Sequence, residues 1–225
     1  MKKQILVLVL FLLPLIVLAD AFPIKNDDGI TIFYRFYNLN GNEELEVANV
    51  PASTVGRVNI PETINYQNRT IKVTTIGWDA FRNCSMVTSI GIPKTIKYMD
   101  NAFEGCSGLT GVYISDLEAW CNITFYANGL SSNPLLYAHH LFLNNEEIQD
   151  LVIPNSVTEV KAFAFMGCSG LKNVTFPNYV NRIGYMAFYH CTGLMSAILS
   201  ENITEIDTYA LLAHICELYQ CKMAS

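Results

Sequence analysis

The segment PNSVTEVKAFAFMGCSGLKNVTF is followed at once by PNYVNRIGYMAFYHCTGLMSAIL, so Ala164, Phe165, Cys168 and Leu171 recur 23 residues later as Ala187, Phe188, Cys191 and Leu194. A fixed period in the twenties, with apolar residues at set offsets, marks a solenoid whose coils stack and share one core. The same pattern occurs at Ala80, Phe81, Cys84 and Val87, and again at Ala102, Phe103, Cys106 and Leu109, with a fading copy at Ala210 and Leu211. The phenylalanine steps are 22, 62 and 23 residues, and Leu211 lies another 23 on. The long step holds one further coil and an insertion.

Each unit runs from a short strand through proline and a second apolar pair to the Ala-Phe-x-x-Cys turn. Period-two spacing turns Val174 and Phe176 inward and Thr175 outward. Pro177 ends its strand because proline has no N–H for a ladder and holds φ for a corner. The turn needs a small alanine where backbones crowd and a large phenylalanine to fill the coil. Phe81, Cys84, Phe103, Cys106, Phe165, Cys168, Phe188 and Cys191 are thus the expected repeat core.

The four slot cysteines also bear on redox state. Export would suit a disulfide framework, and bridges between adjacent coils are sterically feasible. Cysteine recurring in one slot suits a reduced, buried ladder better, since a free thiol buries well. Cys121, Cys216 and Cys221 lie outside the slot, and the last two are the expected reactive thiols.

Export itself is read from Met1 to Ala21. Lys2 and Lys3 precede an apolar run from Ile5 to Leu18, broken by Pro14 and followed by Ala19-Asp20-Ala21. This has the form of a secretory signal peptide, and the run falls short of the ~20 residues a spanning helix needs. The expectation is an exported chain, secreted or on the cell surface, with the periplasm as the other compartment and no transmembrane segment after cleavage. The 225 residues carry a net charge of -6 without a basic face, which argues against nucleic acid and anionic membranes as partners.

Between these segments the sequence divides readily. Residues 22–57 are expected to form an N-terminal β-hairpin cap, with strands Ile30–Phe36 and Leu45–Val50 around Asn38, Asn40, Gly41 and Asn42. Residues 58–210 form the repeat domain, with a side excursion at Tyr66–Arg69. An irregular insertion at 115–147 is expected to project from the coils while its strands continue the sheet. Ser115 and Glu118 read as a capping box, Leu135–Leu143 as a β-run and Asn144-Asn145 as a hairpin turn. Residues 211–225 read as a degenerate last repeat or a C-terminal helical cap, with Asp207 opening a helix whose face holds Leu211, Ile215 and Leu218.

The run Leu171, Val174, Phe176, Pro177, Val180, Ile183, Ala187, Phe188, Cys191 and Leu194 resembles the BspA-like, Treponema-type leucine-rich repeat family of 23-residue units. The resemblance covers about residues 58 to 210, and SDLEAWCNITF through NPLLYAHHLFLN looks like an insert of Bacteroidales members. Ser200 at a proline position and Ala197 at a core position depart from the pattern. The resemblance implies a β-rich leucine-rich repeat solenoid with short strands and small helical turns. It further implies an exported, often cell-surface protein that binds macromolecules, with no catalytic residues to carry over.

Chemistry-bearing residues give only weak candidates. His139 and His140, read as strand neighbours, face opposite ways and cannot share one metal ion. Ser169 belongs to a repeat turn and lacks the spacing of a nucleophile elbow. Cys168 and Cys191 fit packing better than catalysis, although His190 adjoins Cys191. Asp27, Asp28, Glu43, Glu44 and Glu46 read as a solvated acidic group, with a weak calcium site as the lesser reading. Sequons at Asn68, Asn83, Asn122, Asn173 and Asn202 matter only under eukaryotic-type secretion, and Asn83 adjoins a buried-slot cysteine.

The reading is therefore a non-enzymatic binding protein, adhesin-like, without a cofactor, whose partner is an extracellular or host protein, or a glycan. Thr88, Thr110, Tyr113, Lys172 and Thr175 are the candidate partner-binding residues on the outward strand face, among neighbours Ser89, Val152, Met195 and Ile198. The alternative is a periplasmic or surface scaffold that self-associates through its end coil. The sequence leaves the oligomeric state open.

Overall fold

Strands appear wherever β-branched and aromatic residues alternate with polar ones, and the repeat brings them into parallel register. The computed structural model describes residues 21–39, 42–126 and 130–211. The expected signal peptide thus lies almost wholly outside the described residues, as does the expected C-terminal helix beyond Leu211. The expected first turn of that helix is not helical, since Asp207 to Leu211 form a repeat turn and the Asp207 carboxylate accepts from Arg182 at 2.6 Å rather than capping a helix.

The chain opens with β1 (Phe22–Lys25), β2 (Thr31–Leu39) and β3 (Asn42–Asn49), all antiparallel neighbours. β4 (Gly56–Asn59) leads into the hairpin β5 (Thr63–Tyr66) and β6 (Arg69–Ile76), turned by Gln67 and Asn68 at positive φ. β3 lies parallel to β6, pairing Leu45 with Val73 and Val47 with Ile76. The expected β2–β3 hairpin therefore lies along the edge of the coils, and β1 adds a strand the sequence did not disclose.

Two coil faces follow. β7 (Val87–Ile92) and β9 (Gly111–Ile114) extend β4 on one face, while β8 (Tyr98–Met99) extends β6 on the other. The helix α1 (Leu117–Cys121) and β10 (Thr124–Phe125) come next, then a 3-10 turn at Leu130–Ser132 and the short helix α2 (Leu135–Ala138). The hairpin β11 (Leu141–Leu143) and β12 (Glu146–Glu147) closes the first sheet, because β11 pairs with β9. New sheets begin with β13 (Asp150–Val152) and β14 (Glu159–Val160) and are continued by β15 (Asn173–Thr175), β16 (Arg182–Ile183), β17 (Ser196–Ile198) and β18 (Glu205–Ile206).

Inward rows in exact register build the core, for example Val58–Ile90–Val112–Leu141 and Leu151–Val174–Ala197, all buried. At the turns, Phe81 stacks on Phe103 at 5.2 Å and Phe165 on Phe188 at 5.1 Å. Backbone bonds tie the turns together: Phe81 N–H donates to Ala102 O at 2.8 Å, and Phe165 N–H to Ala187 O at 2.8 Å.

The cysteine slot has a physical explanation in the same column. Cys106 Sγ donates to Phe81 O at 3.1 Å, and Cys191 Sγ to Phe165 O at 3.0 Å. The thiol is small enough for the crowded turn and satisfies a carbonyl of the preceding coil. Cys84, Cys106, Cys121, Cys168 and Cys191 are free and buried. The residue before each slot cysteine, Asn83, Gly105, Gly167 or His190, has positive φ, which suits glycine and asparagine best.

The insertion departs from expectation in three respects. It does not project: β10 and β11 occupy ladder positions beside β8 and β9, and Trp120, Cys121, Leu135 and Leu141 are buried. Trp120 Nε1 donates to Ala164 O at 3.0 Å, and Asn133 Nδ2 donates to Phe163 O at 2.7 Å, joining the insert to the next coil. The α1 cap is Asp116 rather than Ser115, since its carboxylate accepts from Ala119 N–H at 2.9 Å. Leu135–Ala138 is helical rather than extended, because Pro134 pre-sets φ at its start and Asn133 Oδ1 accepts from Leu135 N–H at 2.9 Å. His139, in the left-handed conformation, ends the helix.

Candidate interaction surface

Ladder register decides which outward side chains meet. On the outer face of the β4–β7–β9–β11 sheet, Asn59 pairs with Gly91, Gly91 with Tyr113 and Tyr113 with Phe142. The Tyr113 and Phe142 rings lie 4.5 Å apart and 8° from parallel. On its other side, Tyr113 meets the Arg57 guanidinium, 4.0 Å above the ring centre. Arg57 reaches across a strand because Gly91 has no side chain there; a Cβ at Gly91 would stand 2.4 Å from Asn59 Oδ1. Asn59 Oδ1 also accepts from Arg57 Nε at 2.9 Å, which fixes the guanidinium. Gly111 leaves room below the rings, since a Cβ there would meet Phe142 at 3.0 Å and Tyr113 at 3.1 Å.

The result is a column Arg57–Tyr113–Phe142 with the tyrosine ring covered on both faces. Cation–π contact and aromatic stacking contribute about 0.5–1.5 kcal/mol each in partly exposed settings. A groove of ≈ 300 Å³ runs beside the column, bordered by Glu62, Pro93, Ser115, Asn144 and Asn145. Asn144 and Asn145 project there because both hold positive φ in the tight β11–β12 turn.

The five candidate binding residues do not share one sheet. Thr88 on β7 and Thr110 just before β9 are exposed on interior strands of the first sheet, with Thr110 N–H donating to Thr88 O at 2.8 Å, and Tyr113 is half-buried in the column. Lys172 and Thr175 belong to the second sheet, where Thr175 lies between Val152 and Ile198. Hairpin β11–β12 separates the two groups, so the single face expected from the sequence is divided. Sequence reasoning missed Arg57 and Phe142. The available signal was glycine at two outward strand positions beside an aromatic residue, but the pairing needs the register.

The remaining chemistry-bearing residues are placed apart. His139 Nδ1 bonds Gly167 O at 3.0 Å, whereas His140 Nδ1 bonds Glu147 Oε1 at 2.6 Å, and His139 is a helix end rather than part of a strand. His190 is exposed and Cys191 buried. Burial pushes the thiols up, to about 11 for Cys84 and about 12 for Cys106, Cys121 and Cys168. Among the described residues no group of three His, Cys, Asp or Glu side chains is placed to hold a metal ion. Of the sequons, Asn83 is itself exposed although Cys84 is buried, whereas Asn173 is half-buried and bonded to Asp150 and Ser196.

Parallel ladders of short strands, repeated at a spacing of 22–23 residues with an aliphatic inward row, define a leucine-rich repeat protein. The chain belongs to the BspA type leucine rich repeat family: its model matches residues 34–134 and 138–222 in six copies. Among solved structures, the chain is similar to a leucine rich cell surface protein of Faecalibacterium prausnitzii, at 24% identity and a TM-score of 0.52, over 84% of this chain and 45% of that one. It is also similar to a leucine-rich repeat protein of Bacteroides ovatus, at 24% identity and a TM-score of 0.43, over 79% and 48% of the two chains. For the leucine rich repeat protein of T. pallidum the values are 17%, 0.46, 85% and 95%. The chain thus spans less than half the length of the first two. No curated protein matches it. Among the described residues no helix is long and apolar enough to cross a membrane.

Proposed function

We propose that this chain is an exported, non-enzymatic solenoid that binds an extracellular or host protein at the cell surface, through the outer face of its first sheet. The Arg57–Tyr113–Phe142 column carries this reading. Tyrosine and arginine dominate protein interfaces, and a side chain already held on both sides loses little freedom on binding. The column also favours a protein over a glycan as the partner. A sugar ring packs against an open aromatic face, and both faces of Tyr113 are occupied. Its edge and hydroxyl remain, flanked by the amides of Asn144 and Asn145, which suits a protein surface.

The test is a binding screen of purified extracellular proteins and a glycan array against the wild-type chain and Tyr113→Ala. The expected result is a protein ligand whose affinity falls at least about tenfold in the variant. A ligand bound equally well by both chains, or a glycan as the sole ligand, would overturn the assignment.

A further inference from the structure

The break between the two sheets leaves a strand edge open. On either side of β13, Gln149 O accepts from Asn173 N–H at 3.1 Å and Ile153 N–H donates to Thr175 O at 3.0 Å. Alternation then turns the N–H and C=O of Asp150 and Val152 away from β15. On that side β12 pairs only with β11, and no pairing joins β12 to β13 among the described residues. The hollow between them has a volume of ≈ 500 Å³ and is lined by Leu117, Leu143, Ile148 and the segment Glu146 to Val152.

Open edges are ordinarily blunted by charge of either sign. Here the charged residues of the lining are Glu146, Glu147 and Asp150, with no lysine or arginine. Glu147 is paired with His140 and Asp150 accepts from Asn173, while Glu146 is exposed beside them. In a chain of net charge -6, acids at this edge repel a second copy and admit a cationic strand. The apolar Leu117, Leu143 and Ile148 offer contact to alternate side chains of such a strand.

We propose that the break between β12 and β13 is a docking slot for an extended, basic peptide segment of a partner, which adds a strand to the open edge of β13. Asp150 and Val152 supply its main-chain bonds, Glu146 faces its cationic side chains and the apolar floor takes the alternate ones. This mode of recognition draws affinity from backbone bonds and selectivity from alternate side chains.

The probe is a fluorescein-labelled heptapeptide of alternating lysine and valine, followed by fluorescence anisotropy with the full chain. Binding is expected, at least about tenfold weaker for the same peptide N-methylated at alternate amides, which removes the strand bonds. An alternating glutamate–valine peptide is expected not to bind. Glu146→Lys should weaken the lysine peptide at least about tenfold, with an unchanged circular dichroism melt showing that the fold is intact. Tyr113→Ala should leave this binding unchanged, which separates the slot from the first-sheet surface. Absence of binding, or equal binding by the N-methylated peptide or by Glu146→Lys, overturns the proposal.

Discussion

Replacing Phe165 by alanine tests the coil stack where it is most tightly tied. The ring is fully buried, stacks on Phe188 at 5.1 Å, and its residue's carbonyl accepts from Cys191 Sγ at 3.0 Å. Deleting a buried phenylalanine side chain costs about 3–5 kcal/mol, comprising lost transfer energy and the cavity left behind. Collapse around the cavity is hindered, because Phe165 N–H and Gly167 N–H are both bonded to the next coil, to Ala187 O and Tyr189 O at 2.8 Å each. The upper part of the range is therefore expected. At about 2–4 °C per kcal/mol for a chain of this size, the upper part of that range, about 4–5 kcal/mol, means that Phe165→Ala should lower the melting temperature by about 8–20 °C. Circular dichroism at a strand-sensitive wavelength is the assay, with an urea titration to show the midpoint falling. A shift below about 2 °C would refute the argument that this ring fills the coil.

Two further outcomes follow from charge and thiol placement. With burial raising their pKa values to about 11 or 12, Cys84, Cys106, Cys121 and Cys168 should resist iodoacetamide at pH 8 in the native chain and label fully in guanidinium; mass spectrometry of native labelling at these positions would contradict the ladder. Burial pushes the Glu159 carboxyl up, but bonds from Lys161 and Arg182 outweigh it and hold the group below its usual range. That stability is present above the unfolded carboxylate value near ~4.3 and is lost as pH falls through the lower folded value. Glu159→Gln should flatten acid destabilisation over that window by roughly 0.2–1 kcal/mol, the size of partly exposed ion pairs, and an unchanged acid profile would count against the pairing.

The parts legible in the sequence are those governed by local period and turn chemistry. The Ala-Phe-x-x-Cys spacing placed the turn column, alternation at Val174, Thr175 and Phe176 gave strand facing, and Asn144-Asn145 marked a hairpin. The leucine-rich repeat family followed from the same positions. Leu135–Ala138 was misread because four successive apolar or aromatic residues carry no period, and the capping bond from Asn133 depends on its local fold. Embedding of the insertion was hidden because it rests on Trp120 and Asn133 bonding to Phe163 and Ala164, about 30–44 residues away. The aromatic column was half legible: Tyr113 stood out alone, but Arg57 and Phe142 join it only through strand register. The open edge of β13 arises from a failure of pairing, which no local pattern announces.

The proposal that the chain meets its partner outside the cell is tested most directly by treating intact source cells with protease and following the protein by antibody, with a periplasmic protein as lysis control. The account predicts loss of the signal while the control survives. Protection until the envelope is opened would contradict it.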